Sequence, residues 1–179
     1  MGVFKAFLVK FQKLNLYLHS IFIQKKQAME KILEFDKRGY LQPSEAIELT
    51  LSDFRDTFVV NTRREHLFDA YLNFMEVLKN NQINYLYQWI NGSFASKKLY
   101  PKDIDIVIFL DKDTYEKQIS VLQSLKYSVR PDVDAYFVKV YEKDSDAFNI
   151  YTRSDILTWH HLSAKDRINA AKGYVQINF

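Results

Sequence analysis

The sequence predicts a single α/β or α+β sheet domain, and three observations support this fold class. Short apolar segments rich in β-branched residues alternate with segments in which apolar residues recur at helical spacing. Apolar residues make up 47% and aromatic residues 16% of the 179-residue chain, so a sizeable core can form. From residue 29 onward the chain has no internal repeat and no low-complexity tract. This alternation of strand and helix patterns is typical of a sheet covered by helices.

The most regular predicted element is a helix over residues 63–79, in which apolar side chains recur every three or four residues. A capping-box pattern, which marks the start of a helix, occurs twice in this part of the chain. The two patterns are Thr50-x-x-Asp53 and, with Asn61 beside it, Thr62-x-x-Glu65.

The remaining elements follow from the same periodicities. Residues 103–110 are short, apolar and β-branched, as a strand buried on both faces is. Residues 30–49, which hold Gly39 and Pro43, are expected to form only a short extended piece and a loop. The other predicted elements are, in chain order, a strand over Tyr85–Ile90, a helix over 113–126, a strand over Val133–Tyr141, a helix over Ser154–Leu162 and a strand over Tyr174–Phe179.

The positive charge of the chain is concentrated at its N-terminus. The formal net charge is +3, from 25 basic and 22 acidic residues, but residues 1–28 contain five Lys and no Asp or Glu. Residues 29–179 therefore hold 20 basic and 22 acidic residues, a net charge of −2. A slightly acidic body does not favour a long nucleic acid as partner. Within it, Arg63 and Arg64 lie near a predicted helix start and are expected to be a solvated pair.

Residues 1–28 are predicted to form a basic amphipathic arm, because large apolar residues recur there at helical spacing. Its longest apolar run, Ala6–Val9, is too short for a transmembrane span or a secretory signal. Three interpretations stay open. The arm packs on the domain or on a partner, it lies on an anionic membrane surface, or it is a dispensable extension before a start at Met29. Membrane contact is the least favoured of the three.

The chain contains no Cys. This excludes a disulfide scaffold, a thiol nucleophile and any Cys-ligated metal centre. It also fits a reducing compartment, so the sequence predicts a cytoplasmic protein.

Two carboxylates, Asp103 and Asp105, stand at positions i and i+2 of a predicted apolar strand. Side-chain alternation directs both to the same face, a few ångströms apart. Two like charges among apolar residues are unfavourable unless a positive charge lies between them. Because neither His nor Cys is nearby, the hard oxygen ligands favour Mg²⁺ or Mn²⁺. The alternative is that Asp103 ends a loop and Asp105 pairs with a Lys.

The preceding predicted strand ends at Gly92-Ser93. A glycine permits a ligand to approach the backbone closely, and a short helix beginning near Ser93–Phe94 would direct N–H groups towards an anion. The Ser93 hydroxyl could bind a phosphate oxygen. Gly-Ser alone is a common turn; its meaning here comes from the nine residues that separate it from Asp103-Ile104-Asp105-Ile106.

This joint pattern resembles the signature of the DNA polymerase β-like nucleotidyltransferase superfamily. Its residues are Trp89-Ile90-Asn91-Gly92-Ser93-Phe94 followed by Lys102-Asp103-Ile104-Asp105-Ile106-Val107, within a core over about 84–141. The segments FVVNTRREHLF, TWHHLSAKDR and KGYVQI are in addition similar to those of small stand-alone bacterial nucleotidyltransferase-like proteins. The resemblance implies a mixed sheet flanked by helices over residues 29–179.

The resemblance also implies an activity. A nucleoside monophosphate would pass from ATP or another nucleoside triphosphate to a hydroxyl acceptor. Asp103, Asp105 and a third carboxylate would hold two Mg²⁺ or Mn²⁺ ions, while Gly92 and Ser93 would bind the phosphates. For the third carboxylate we choose Asp134, which lies inside a predicted strand, over Asp132, which follows Pro131 in the preceding loop.

The sequence departs from the pattern after Gly-Ser. Minimal nucleotidyltransferases of toxin–antitoxin pairs commonly continue with Ala-Arg-Gly, whereas this chain continues with Phe94-Ala95-Ser96-Lys97-Lys98. Lys97 or Lys98 could supply a point charge to the phosphates, and we choose Lys97, but neither offers the bidentate fork of Arg.

The expected function is therefore a Mg²⁺-dependent nucleotidyltransferase acting on a protein side chain or a small hydroxyl compound, in a toxin–antitoxin or phage-defence setting. A protein partner such as a toxin is one expected target. The alternative is a binding module, an antitoxin or regulatory subunit, that keeps the fold with weak or no turnover.

Overall fold

Strands and helices alternate along the chain in the computed structural model, which describes residues 33–127 and 131–179. Residues 1–28, with the three interpretations of the arm, lie outside the described residues. Residues Phe35–Phe179 make up one compact unit, and the other unit, Met1–Glu34, lies almost wholly outside the described part of the chain.

Within the described residues, five strands form one mixed sheet in the order β3-β7-β4-β5-β6. β4 runs antiparallel to β5 and β7, whereas β5 is parallel to β6 and β3 is parallel to β7. β1 and β2 form a separate two-stranded sheet. The strands are β1 (Glu34–Phe35), β2 (Leu41–Gln42), β3 (Ala46–Glu48), β4 (Tyr87–Asn91), β5 (Ile104–Asp111), β6 (Val133–Val140) and β7 (Tyr174–Asn178).

The first two helices each begin directly after an N-cap residue whose side chain accepts a backbone hydrogen bond. The Thr50 hydroxyl accepts a hydrogen bond from the Asp53 backbone N–H at 3.1 Å, as the capping pattern predicts. The second helix is capped by Asn61 and not by Thr62: the Asn61 side chain accepts from the Arg64 N–H at 3.0 Å. The helices are α1 (Leu51–Phe58), α2 (Thr62–Asn80), α3 (Lys112–Lys117), α4 (Ile119–Tyr127) and α5 (Arg153–Ser163), with a π-helical turn over Phe148–Thr152 before α5.

Two parts of the prediction differ from the structure. The single helix expected over 113–126 is two helices, because the chain leaves helical geometry at Gln118. Residues 33–49 contain three short strands where only a short extended piece and a loop were expected, and β3 pairs with β7 at the edge of the sheet. A strand of three residues is too short to show an alternation of apolar and polar residues, so its pairing partner decides its structure.

The core lies on both faces of the sheet. On one face Trp89, Val107 and Phe109 form a cluster against which Ile156 and Trp159 pack, so α5 covers this face. On the other face the Tyr71 hydroxyl of α2 donates a hydrogen bond to the Gln88 side chain at 2.9 Å. β5 is thereby buried on both sides over residues 106–110, as its apolar sequence predicts.

The predicted α+β domain with a mixed sheet between helices is confirmed in these coarse terms. Among the described helices, none combines the length and the apolar character that crossing a membrane requires.

Candidate active site

The predicted site residues lie at one edge of the sheet, where β4 ends and where β5, β6 and β7 begin. Asp105 on β5 is the register partner of Asn91 on one side and of Asp134 on the other. Side chains of register partners project from the same face, here the face that α5 covers. The structure therefore brings Asp105 and Asp134 side by side on neighbouring strands, although 28 residues separate them in the sequence.

Asp105 has an unusual electrostatic environment. Its pKa is raised from the usual 3.8 to about 6, chiefly because the carboxyl group is withdrawn from water. The negative charges of Asp103 and Asp134 raise it further, while Lys172 and Arg167 act in the opposite sense. Asp103 lies directly before β5 and not within the strand predicted over 103–110, and its charge and that of Asp134 both act on Asp105.

Gly92 follows β4 with a φ of +70°, a left-handed conformation that favours glycine. A Cβ atom at this position would overlap the carboxylate of Asp105. Gly92 and the Asp105 carboxylate are thus in direct contact, and only a glycine at position 92 leaves room for that carboxylate. The short helix expected near Ser93–Phe94 is not formed: residues 92–95 make a turn, in which the Ser96 hydroxyl donates to the Ser93 carbonyl at 2.7 Å.

Asp132 and Asp134 have different surroundings, and the difference favours Asp134 as the third carboxylate. Asp132 forms an ion pair with Arg63 and a hydrogen bond with the ring Nε2 of His66, both residues of α2 and both contacts at 3.1 Å. Asp134 is exposed at the edge of the sheet and accepts a hydrogen bond from the hydroxyl of Tyr136 at 3.1 Å. The Asp132 side chain is therefore engaged in holding a loop, whereas Asp134 faces open space beside Asp105.

Arg64 anchors the loop that follows Gly92-Ser93. It is 1% exposed, which contradicts the expectation that Arg63 and Arg64 form a solvated pair. Its guanidinium donates to the backbone carbonyls of Phe58, Phe94, Ser96 and Lys98, the last at 2.7 Å. Burial without a carboxylate partner lowers the pKa of Arg64 to about 10, so the group stays charged at neutral pH.

Arg63 has a comparable role on the other side of the site. It donates to the backbone carbonyls of Pro101 and Lys102, directly before Asp103, and it pairs with Asp132, directly before β6. One side chain of α2 therefore fixes the two loops that lead to Asp103 and Asp134.

Lys97, the cation predicted to bind phosphate, is engaged elsewhere. Its Nζ atom lies 4.6 Å from the centroid of the Phe35 ring, a cation–π distance. Its backbone N–H donates to the Gly39 carbonyl at 2.8 Å. Its role at the phosphates stays a prediction that the geometry does not favour.

Two cations that sequence reasoning did not single out act on the site instead. Lys172 precedes β7 and is 8% exposed, and Arg167 lies in the loop before it. Both act electrostatically on Asp105. The sequence shows only a Lys two residues before the strand that starts at Tyr174, and this pattern indicates nothing until the position of that strand in the sheet is known.

A cleft of about 280 Å³ adjoins the carboxylates, and Lys102, Asp103, Lys126 and Asp134 are among the residues that line it. The cleft lies beside the outer strand β6. In the strand order, β6 is on one side of Asp105 and β4, which leads to Gly92, is on the other. The cleft is large enough to receive part of a small acceptor.

The donor chemistry at this edge fits a divalent cation. Asp103, Asp105 and Asp134 provide only hard oxygen ligands. Burial, and then the charges of Asp103 and Asp134, raise the pKa of Asp105, so a positive ion between these carboxylates would be favourable. In the structure as described, no group of three or more His, Cys, Asp or Glu side chains already converges on a single point as a metal site.

The fold and this edge can now be set beside known proteins. Residues 33–178 match a family of unknown function, DUF6932, and the chain belongs to this family. No curated protein and no solved structure matches the chain.

Proposed function

We propose that this protein is a Mg²⁺-dependent nucleotidyltransferase with a polymerase β-like fold, which transfers a nucleoside monophosphate from a nucleoside triphosphate to a hydroxyl acceptor. One observation carries the proposal. Gly92 packs without a Cβ against the carboxylate of Asp105, while Asp134 is the register partner of Asp105 on the next strand. The motifs are thus neighbours in space as a phosphate-transfer site requires.

Asp103, Asp105 and Asp134 would hold two Mg²⁺ or Mn²⁺ ions, which when bound neutralise charge on the triphosphate and make the acceptor hydroxyl more acidic. The other contributions come from the chain itself. Because Gly92 lacks a side chain, the phosphates can approach the backbone of the turn closely. Ser93 offers a hydroxyl and its N–H group in the same turn.

Asp134 is positioned to receive the proton of the acceptor. It is exposed, and it already accepts a hydrogen bond from a hydroxyl, that of Tyr136, at 3.1 Å. In the proposed reaction the acceptor oxygen bonds to the α-phosphorus, the bond from that phosphorus to the bridging oxygen breaks, and pyrophosphate leaves.

The size and charge of the site support a protein side chain or a small hydroxyl compound as the acceptor. The cleft beside Asp134 measures about 280 Å³, and residues 29–179 carry a net charge of −2. Neither feature suits a long polyanion, which needs an extended basic surface. A protein target such as a toxin, in a toxin–antitoxin or phage-defence setting, is part of the proposal.

Incubation of the purified chain with each labelled nucleoside triphosphate, Mg²⁺ or Mn²⁺ and a native lysate tests the proposal. We expect label in an acceptor with the wild-type protein and none with Asp103→Asn or Asp105→Asn. Asp144→Asn is the matched control, since Asp144 is an exposed carboxylate beyond the far end of β6. Transfer that survives Asp105→Asn would refute the proposed site.

Binding without transfer would favour the other candidate, a binding module that retains the fold. A nucleoside triphosphate would then raise the melting temperature of the wild-type chain without labelling any acceptor. Absence of both binding and transfer for all four nucleotides would refute the nucleotide site itself.

A further inference from the structure

Lys172 is a buried cation without a hydrogen-bonding partner. The residue is 8% exposed, yet the described residues offer its side chain neither a hydrogen bond nor an ion pair. Burial lowers the pKa of Lys172, and the charges of Asp105 and Asp166 only partly compensate. Lysine is seldom buried unless it is paired, so its position needs another explanation.

The backbone around Lys172 is held firmly. Its N–H donates to the Ala164 carbonyl at 2.9 Å, and the N–H of the next residue, Gly173, donates to the Leu41 carbonyl at 2.6 Å. A Cβ on Gly173 would collide with the Pro43 carbonyl. The position of Lys172 is therefore built into the fold and does not result from a free loop.

Strand register locates Lys172 at the site. β7 pairs antiparallel with β4, and the last paired residues are Ile90 and Val175. β4 then continues to Asn91 and the Gly92 turn, while β7 starts one residue before Val175, two residues after Lys172. Lys172 thus lies at the same end of the paired strands β4 and β7 as the Gly92-Ser93 turn.

The ammonium group itself stays accessible. Among the described residues, no buried side-chain nitrogen or oxygen lacks a hydrogen-bond partner. Because Lys172 has no such partner, its Nζ atom must keep contact with solvent while its aliphatic stem is buried. The side chain therefore presents a charge, held by a well-anchored backbone, to solvent within electrostatic reach of Asp105.

We propose that Lys172, assisted by Arg167, forms a subsite for a polyphosphate: the β- and γ-phosphates of the nucleotide and the pyrophosphate that leaves. Strand order supports this assignment. β4 with its Gly92 turn, and β7 behind it, lie on one side of Asp105, whereas Asp134 and the acceptor cleft lie on the other. A phosphate chain on the Gly92 turn therefore extends towards Lys172 and away from the acceptor.

The subsite also accounts for the departure of the sequence from the expected motif. The loop after Ser93 carries no Arg, and Lys97 lies over the Phe35 ring. Lys172, which is distant in the sequence but enters the sheet beside this turn, delivers the missing positive charge. That the polyphosphate is part of a nucleotide rests on the proposed function. The proposal of an anion site at Lys172 does not depend on that function.

Calorimetric titration of the full chain with inorganic pyrophosphate, and separately with ATP and Mg²⁺, tests the subsite. We expect Lys172→Met to weaken pyrophosphate binding about ten- to hundredfold, the usual effect of losing a charged hydrogen bond. Lys172→Arg should restore part of the affinity. Lys143→Met removes an exposed lysine at the far end of β6 and should bind as the wild type does.

Arg167→Met provides a second variant whose side chain is exposed, so its fold does not depend on the substitution. It should weaken pyrophosphate binding several-fold, even if Lys172→Met fails to fold. Equal pyrophosphate affinity in folded Lys172→Met and the wild type would overturn the subsite. If Lys172→Met does not fold, an unchanged affinity of Arg167→Met would overturn it.

The failure of this inference and the failure of the proposed function give different results. Pyrophosphate binding that depends on Lys172, in a protein that labels no acceptor, supports the subsite and counts against the transferase. Nucleotide transfer with an unchanged KM for the nucleoside triphosphate in Lys172→Met supports the transferase and overturns the subsite.

Discussion

Asp105 combines partial burial with like-charged neighbours, an arrangement that costs folding free energy. Its pKa of about 6 is caused first by withdrawal from water and then by the charges of Asp103 and Asp134. Lys172 and Arg167 reduce the cost without removing it, since neither forms an ion pair with Asp105 in the described structure. Carboxylates in such surroundings are concentrated at functional sites, where a bound cation offsets the repulsion.

Asp105→Asn should stabilise the protein at neutral and alkaline pH. The folded state holds the Asp105 proton more tightly than the unfolded chain, so the wild-type free energy of unfolding falls as the pH rises from 3.8 through about 6. Asp105→Asn lacks this loss, and above that range it should be more stable than the wild type by up to about 3 kcal/mol. Urea unfolding of both proteins between about pH 4 and pH 8 measures the difference.

Asp144→Asn serves again as the control, because its exposed carboxylate should not produce a pH-dependent difference. A stability difference between Asp105→Asn and the wild type that does not grow between pH 4 and pH 7 would contradict the raised pKa of Asp105.

At the scale of the element, α2 holds the loops of the candidate site in place, although it contributes none of the three carboxylates. Arg64 binds carbonyls of the loop after the Gly-Ser turn, and Arg63 binds the two loops that precede β5 and β6. His66 adds a second contact to Asp132. A helix on the opposite face from α5 thus sets the spacing of the Gly92 turn and the carboxylates.

Arg64→Met should destabilise the domain by about 2–4 kcal/mol, because buried carbonyls lose their donors when the guanidinium is removed. Arg64→Lys should recover little, since an ammonium cannot reach the carbonyls of Phe58, Phe94 and Lys98 together. Chemical denaturation monitored by tryptophan fluorescence measures both effects. Arg55→Met, at an exposed position of α1, should lie within about 0.5 kcal/mol of the wild type; a similar loss in both Met variants would show that Arg64 has no special role.

At the scale of the whole molecule, the positive net charge and the candidate site belong to different parts of the chain. The +3 of the full sequence depends on five Lys within residues 1–28, and residues 29–179 have a net charge of −2. The carboxylates, the Gly92 turn and Lys172 all lie in the compact unit Phe35–Phe179. Affinity for nucleic acid and affinity for a nucleotide should therefore be separable.

A protein that starts at Met29 should lose any affinity of the full chain for duplex DNA and keep its affinity for nucleoside triphosphates. DNA binding through a handful of Lys falls steeply with salt, whereas a nucleotide in a formed site depends on salt less. Titrations of both proteins with DNA and with ATP at two salt concentrations measure this. DNA binding that survives the truncation, or loss of ATP binding with the truncation, would contradict the separation.

The parts of the fold that could be predicted are those encoded by neighbours in the sequence. The strands over 103–110 and 133–141 and the helix over 63–79 are apparent from apolar periodicity, and the structure confirms them within a few residues. β3 and the break at Gln118 were missed, because a three-residue strand and a single non-helical residue leave no periodic trace. The burial of Arg64 was missed because its acceptors lie up to 34 residues away.

By itself, the sequence determined most of the helices and strands, the Gly-Ser turn at the end of β4 and the spacing of Asp103 and Asp105. These follow from side-chain alternation and residue type, which act over a few residues. Only the tertiary structure decided that Asp134 stands beside Asp105, that Asp132 is held by Arg63, and that the charge of Lys172 acts on Asp105 while Lys97 lies over the Phe35 ring. Each of these features depends on strand order and burial. Both are set by contacts between segments that are distant in the sequence, so no local sequence pattern indicates them.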